Sequence, residues 1–264
     1  MKKRISTLVL SLSVLANSSF ACTNPNVASG AHLPNPVPWG MDSGPIASGF
    51  VDLKTHEYIG YHHGVDLSEY NSISYDKIND CGANFSFVKL KQNQPNGFVK
   101  HRDELHKRGI NTIPYYYLNA PSNYQGNHKL FGDLNDTSKA ALLKTGRDLG
   151  RAQAKLFIED ASKAFPNGLP EVNVASISGQ MVALDVEDVF DKNLRPSRKQ
   201  INNYGAFYAA MARAWIDSVK EKYPKAIVFF YTTPWIFYDY LTQASEEDNK
   251  FIHGFPIWIA NTRP

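Results

Sequence analysis

Residues 64–71 read GVDLSEYN. The rest of the chain is compatible with a doubly wound sheet or a β/α barrel, and this stretch distinguishes between them. Residues 61–67 (YHHGVDL), which overlap the start of this stretch, have the pattern of a strand. Asp66 lies at the end of this strand, and Ser68 and Glu69 follow it. A doubly wound dinucleotide-binding sheet would carry a glycine-rich phosphate loop after its first strand. This chain carries carboxylates at that point, which favours a parallel β/α barrel with its active site at the carboxyl ends of the strands.

The rest of the chain alternates between short apolar runs and longer amphipathic segments, as expected for a parallel sheet covered by helices. Its 264 residues suit a single barrel domain, which commonly has about 250. We predict a barrel domain over 59–264, preceded by an irregular segment, 22–58, that is rich in Asn, Pro, Gly and Ser. Further strands are predicted at 85–91, 111–118, 181–186, 226–232 and 256–260, and helices at 75–80, 99–108, 138–165 (capped by Ser138) and 198–222.

Residues 1–21 have the features of a secretory signal peptide. A basic start (KKR, 2–4) precedes a largely apolar run, 5–16, and a small-x-small triplet ends at Ala21. We predict cleavage after Ala21 and a secreted or periplasmic mature chain, with a retained anchor or a lipid on Cys22 as the alternatives. No later apolar run is long enough for a membrane span, so none is predicted in the mature chain.

The charge and cysteine content limit which partners and metal sites can be predicted for the chain. Removal of the signal takes three of the 28 basic residues and so balances the 25 acidic ones. A near-neutral chain lacks the basic patch that nucleic-acid binding requires, and no nucleic-acid partner is predicted. Cys22 and Cys81 either pair in an oxidising compartment or remain free thiols, and two cysteines alone cannot form a structural zinc site.

The run MVALDVE (181–187) ends a predicted strand in two carboxylates, Asp185 and Glu187. Side chains two residues apart on a strand share a face, so both are expected to point into the barrel mouth. Two carboxylates this close do not readily both ionise, so one is expected to hold a proton. An acid beside a carboxylate is what glycoside hydrolysis needs. The alternative is a solvated acidic loop after the strand.

Aromatic residues gather at the ends of other predicted strands, where they could stack on sugar rings. Core packing is the competing interpretation, and only alternate members of the run 115–117 can face the barrel interior. His62 and His63 have too few convergent partners for a metal site, so no metal or cofactor is predicted. The candidate substrate-binding residues are Tyr115, Tyr117, Tyr231 and Trp258.

Taken together, these motifs resemble the family 25 glycoside hydrolases, the lysozyme-type muramidases. The resemblance runs from about residue 60 to the end of the chain, with six motifs in the family's order. They are GVDLSEYN (64–71), FSFVKLKQ (85–92), RGINTIPYYYL (108–118), MVALDVED (181–188), VFFYTTPWIFYDYL (228–241) and PIWIAN (256–261).

The resemblance implies an irregular TIM-like β/α barrel that cleaves the β-1,4 bond between N-acetylmuramic acid and N-acetylglucosamine in peptidoglycan. Glu187 matches the proton donor of the family. Asp185 matches the partner carboxylate, which orients the N-acetyl group or stabilises the cationic sugar. Asp66 matches the first-strand carboxylate that lines the site.

The chain departs from the family pattern in three places. Residues 92–105 (QNQPNGFVKHRDEL) stand where the family often has a T-x-G segment and an Asp before the helix. The segment 120–180 is longer than usual, and the family pattern continues beyond the equivalent of Pro264 with two more strands and a further Asp. A truncated product, completion by a partner and completion by residues 22–58 are all left open. The alternative function is a catalytically impaired, lysozyme-like envelope protein that binds glycan strands. A chitinase-like barrel would carry a D-x-x-D-x-[DE] run, which is absent.

Overall fold

The computed structural model describes residues 50–51, 58–60, 63–68, 74–80, 83–90, 95–125, 127–174, 177–187, 195–233, 236–237, 240–241 and 245–259. The predicted signal peptide, both cysteines and nearly all of the segment 22–58 lie outside these ranges. In chain order the elements are β1 (Phe50–Val51), β2 (Tyr58–Gly60), β3 (His63–Leu67), α1 (Tyr75–Asp80), β4 (Ala83–Lys89), α2 (Pro95–His106), β5 (Asn111–Tyr117), α3 (Ser122–Gln125), a 3-10 turn (His128–Phe131), α4 (Asp136–Ala164), β6 (Glu171–Val174), β7 (Ile177–Val186), α5 (Arg198–Lys222), β8 (Ile227–Thr232), α6 (Glu246–Ile252) and β9 (Ile257–Ile259).

The chain forms two compact units. The described residues up to 89, together with those in 96–113 and 171–179, form the first unit, and the described residues in 90–95, 114–170 and 180–264 form the second. In the first unit β1 pairs antiparallel with β2, and β3 pairs parallel with β4. In the second unit β7 pairs parallel with both β5 and β8, and β8 pairs parallel with β9. The predicted domain boundaries stay a prediction.

The larger sheet has the strand order β3-β4-β5-β7-β8-β9, with β6 beside β7. Helices follow β3, β4, β5, β7 and β8 along the chain, as expected when parallel strands are joined by crossover connections. The predicted α/β fold with a parallel sheet is therefore confirmed. Closure of this sheet into a barrel stays a prediction.

The predicted elements are present, and their bounds differ where the local sequence is polar. Helices α1 and α5 have the predicted limits. Strand β7 begins at Ile177, four residues earlier than predicted, because its half-exposed start (ISGQ) shows no apolar run. Helix α2 begins at Pro95 rather than at residue 99, since the fixed φ of proline suits the first turn of a helix.

The N-cap of α4 is Asn135, not Ser138 as the sequence suggested. The Asn135 side chain accepts a hydrogen bond from the backbone N–H of Ser138 at 2.8 Å, so Ser138 is the capped residue and not the cap. Both Asn and Ser are good caps, and the pattern alone did not distinguish them.

Replacing this cap should therefore destabilise the protein more than replacing Ser138. We expect Asn135→Ala to lower the free energy of unfolding by about 1 kcal/mol, because a backbone donor loses its acceptor. Ser138→Ala is the matched control and should change it by less than about 0.5 kcal/mol. Urea unfolding of both variants measures this, and the reverse order of effects would place the cap at Ser138.

Helices α4 and α5 approach each other closely within the second unit. A Cβ on Gly146 would lie 2.7 Å from the carbonyl oxygen of Phe207, and one on Gly150 would overlap the carbonyl oxygen of Met211. Glycine at both places lets the two backbones touch. No helix in the described part of the chain has the apolar length needed to cross a membrane.

Candidate active site

Four predicted site residues occupy one register position across neighbouring strands of the second unit. Tyr117 of β5 is opposite Asp185 of β7, and Asp185 is opposite Tyr231 of β8. Tyr231 is in turn opposite Trp258 of β9, for which only the backbone is described. Residues at one register position of a parallel sheet lie on the same face. The structure thus places Tyr117, Asp185, Tyr231 and Trp258 in one row, called here the Asp185 row.

The opposite face of β5 packs against helices. Tyr116 stacks on Trp215 of α5 and meets the edge of Phe157 of α4, with ring centroids 5.9 Å apart in both pairs. Because side chains alternate along a strand, Tyr115 and Tyr117 face away from these helices. Tyr115, opposite Ala183, is 6% exposed and forms a buried layer beneath the Asp185 row.

Burial is graded at the end of β7. Asp185 is 6% exposed and still belongs to the strand, which ends at Val186. Glu187 is the next residue and is half-buried, as are Tyr117 and Tyr231. Asp185 is therefore not part of a solvated loop. Burying a carboxylate to this extent costs free energy unless neighbouring groups compensate it. Buried carboxylates of this kind are common among the functional acids of active sites.

The backbone beneath the acidic pair is held from both neighbouring strands. The Leu118 N–H, just past β5, donates to the carbonyl oxygen of Asp185 at 2.8 Å. On the other side, the buried hydroxyl of Thr232 in β8 donates to the carbonyl oxygen of Val186, also at 2.8 Å. The two peptide groups that set the directions of Asp185 and Glu187 are therefore fixed. Fixed supports of this kind are what a preorganised site requires.

The loop after β5 is held by side chains from two helices. The Tyr208 hydroxyl of α5 accepts from the N–H of Ala120 at 2.9 Å and donates to the carbonyl of Leu118 at 3.2 Å. The Gln153 amide of α4 accepts from the N–H of Asn119 at 3.3 Å and donates to its carbonyl at 2.9 Å. Sequence reasoning missed Gln153 and Tyr208, because a polar residue inside a long helix gives no local signal of such a distant partner.

Asp66 lies in the first unit, where it is opposite Phe87 of β4. It is half-buried, whereas its neighbours Val65 and Leu67 are buried on the other face of the strand. The role that the resemblance gives Asp66 stays a prediction. Among the described residues no group of three or more His, Cys, Asp or Glu side chains could hold a metal ion, and His62 lies outside them.

A second buried carboxylate, Asp160 of α4, affects the helix-covered face of the sheet. It is 2% exposed and pairs with Lys163 at 3.2 Å. Burial, with a smaller contribution from the Asp160 charge, raises the pKa of Tyr116 to about 12. The folded chain therefore favours the protonated phenol.

This raised pKa should make the protein less stable in alkali. In the unfolded chain a tyrosine ionises near pH 10, so the stabilisation is complete below that pH and is lost as the pH rises from about 10 towards 12. Between pH 8 and pH 11 the parent should lose about 1.4 kcal/mol more unfolding free energy than Tyr116→Phe, which has no phenol to ionise there. Urea unfolding at both pH values measures the difference, and equal losses would show that Tyr116 does not carry it.

Comparison with known proteins leaves the family open. No protein-family model matches the chain, and no curated protein matches it either. Among solved structures, the Ignisphaera aggregans GH53 catalytic domain is similar at 13% identity and a TM-score of 0.34, over 74% of this chain and 62% of that one. This chain thus spans less than two thirds of that domain's length. A likeness at this level assigns no family.

Proposed function

We propose that this chain is an exported glycoside hydrolase that cleaves the β-1,4 bond between N-acetylmuramic acid and N-acetylglucosamine in peptidoglycan. The observation that carries the proposal is the Asp185 row, with Glu187 two residues beyond Asp185. The row supplies a carboxylate and aromatic residues at the carboxyl ends of parallel strands, and Glu187 adds a second acid. The carboxyl ends of the strands are where β/α enzymes place their active sites.

Glu187 is assigned as the general acid. It donates its proton to the glycosidic oxygen as the bond between that oxygen and the sugar carbon breaks. Asp185, more buried and still within the strand, carries the negative charge that stabilises the cationic sugar or orients its N-acetyl group. Water then completes the hydrolysis, and Glu187 recovers a proton.

The aromatic members of the row are assigned to substrate binding. Half-buried Tyr117 and Tyr231 flank Asp185 on both neighbouring strands, so each offers part of a ring to a sugar. Tyr115 supports them from the buried layer beneath. The ordered motifs resembling lysozyme-type muramidases favour peptidoglycan as the glycan, and the signal-like residues 1–21 favour export to the compartment where peptidoglycan lies.

Hydrolysis of a peptidoglycan suspension tests this function. The purified chain should clear the suspension and release new reducing ends. Sedimentation with the same material measures binding independently. A folded chain that sediments with peptidoglycan but releases no reducing ends would instead support the glycan-binding alternative, in which the acidic pair is not used for turnover.

A further inference from the structure

The loop Leu118–Ala120 is held by side chains from α4 and α5, in addition to the hydrogen bond from Leu118 to Asp185 of β7. Its backbone makes four hydrogen bonds with two side chains, Gln153 and Tyr208, donating two and accepting two. Gln153 lies 34 residues after Asn119 in the sequence, and Tyr208 lies 88 residues after Ala120. The Gln153 amide also approaches the sulfur of Met211 at 3.6 Å, which fixes its own position against α5.

The side chains of this loop continue the alternation of β5. Leu118 and Ala120 are 0% and 2% exposed, and Tyr116, two residues before Leu118, is also buried. Asn119 between them is exposed, and Tyr117 before them is half-buried. Asn119 therefore continues the face of Tyr117 and of the Asp185 row.

The result is an exposed amide on a fixed backbone. Two residues along an extended chain span about 6.6 Å, so Asn119 lies about that far beyond Tyr117 along the strand direction. Its amide can both donate and accept hydrogen bonds. The Asn119 N–H and carbonyl are both bonded to Gln153, and a group that binds a ligand gains affinity when its position is fixed in advance.

We propose that Asn119 is a substrate-binding residue that hydrogen-bonds a hydroxyl or acetamido group of the glycan, next to the sugar at Tyr117. Gln153 and Tyr208 are positioning residues that act through Asn119. This inference rests on the proposed function, because it uses the same face and the same substrate.

Steady-state kinetics of the full chain on soluble peptidoglycan fragments tests the role of Asn119. We expect Asn119→Ala to raise KM about tenfold with kcat within about twofold of the parent, since the lost hydrogen bond acts on the bound substrate and the transition state alike. Asn123→Ala, at an exposed asparagine of the next helix, is the matched control and should leave both constants unchanged. An unchanged KM in Asn119→Ala would overturn the proposal.

A double-mutant cycle tests whether Gln153 acts through Asn119. Gln153→Met alone should raise KM, while adding it to Asn119→Ala should cause little further change, because the positioned group is already gone. Additive effects would mean that Gln153 has only a structural role and would overturn its part of the proposal. Thermal unfolding of each variant separates loss of stability from loss of binding.

Calorimetric binding of the same fragments separates this inference from the proposed function. A parent that binds the fragments without cleaving them, with binding weakened about tenfold in Asn119→Ala, would contradict the hydrolase and support the role of Asn119. A parent that cleaves the fragments, with Asn119→Ala binding them as tightly as the parent does, would support the hydrolase and contradict the role of Asn119. A parent that neither binds nor cleaves them would overturn both.

Discussion

Glu187→Gln is expected to lower the rate of peptidoglycan hydrolysis by about 10²- to 10⁴-fold, the range that a positioned general acid contributes. The glutamine amide has nearly the same shape as the protonated carboxyl, so substrate binding should change little. It has no acidic proton to transfer to the glycosidic oxygen. The loss should therefore appear in kcat, measured as the rate of release of reducing ends.

Glu221→Gln provides the control for this substitution. Glu221 is an exposed carboxylate near the end of α5, so its replacement removes a charge without touching the Asp185 row. Its variant should hydrolyse peptidoglycan at the parental rate. If Glu187→Gln also kept the parental rate, Glu187 would not be the proton donor.

Gly150→Val is expected to cause the largest loss of stability. A Cβ at this position would overlap the carbonyl oxygen of Met211, and that oxygen belongs to the backbone of α5 and cannot move as a side chain can. The helices must separate or the side chain must strain, which should cost about 3 kcal/mol, the upper part of the usual range for overpacking. The melting temperature should fall by roughly 6–12 °C for a chain of this size.

Gly97→Ala is the matched control for helical glycines. Gly97 lies in α2, and nothing approaches within 4 Å of a Cβ placed there. Alanine is a better helix former than glycine, so this variant should be about as stable as the parent or up to 1 kcal/mol more stable. If Gly150→Val and Gly97→Ala had the same stability, the close approach of α4 and α5 would not limit what can occupy position 150.

The sequence predicted the sheet well because its strands are buried. Apolar runs such as AIVFFYT (226–232) are continuous in parallel strands that are covered by helices, and those runs locate the strands directly. The start of β7 was missed, since residues 177–180 are polar or half-exposed and form no apolar run. Strand β6 was missed because it has only four residues, and it is a strand through its pairing with β7.

The candidate site could be predicted in part because strand geometry determines which side chains share a face. The two-residue spacing of Asp185 and Glu187 and the alternation in the tyrosine run follow from strand geometry, and the structure brings Tyr117, Asp185 and Tyr231 to one register position. The groups that hold this row were not predictable. Gln153 and Tyr208 lie inside helices, and only the packing of those helices brings them to the loop Leu118–Ala120.

Mass spectrometry of the soluble products of peptidoglycan digestion tests the proposed muramidase activity, because it identifies the bond that is cut. We expect disaccharide-containing fragments with N-acetylmuramic acid at each new reducing end, formed by the parent chain and not by Glu187→Gln. New reducing ends of N-acetylglucosamine, or no fragments at all from a folded parent chain, would contradict that activity.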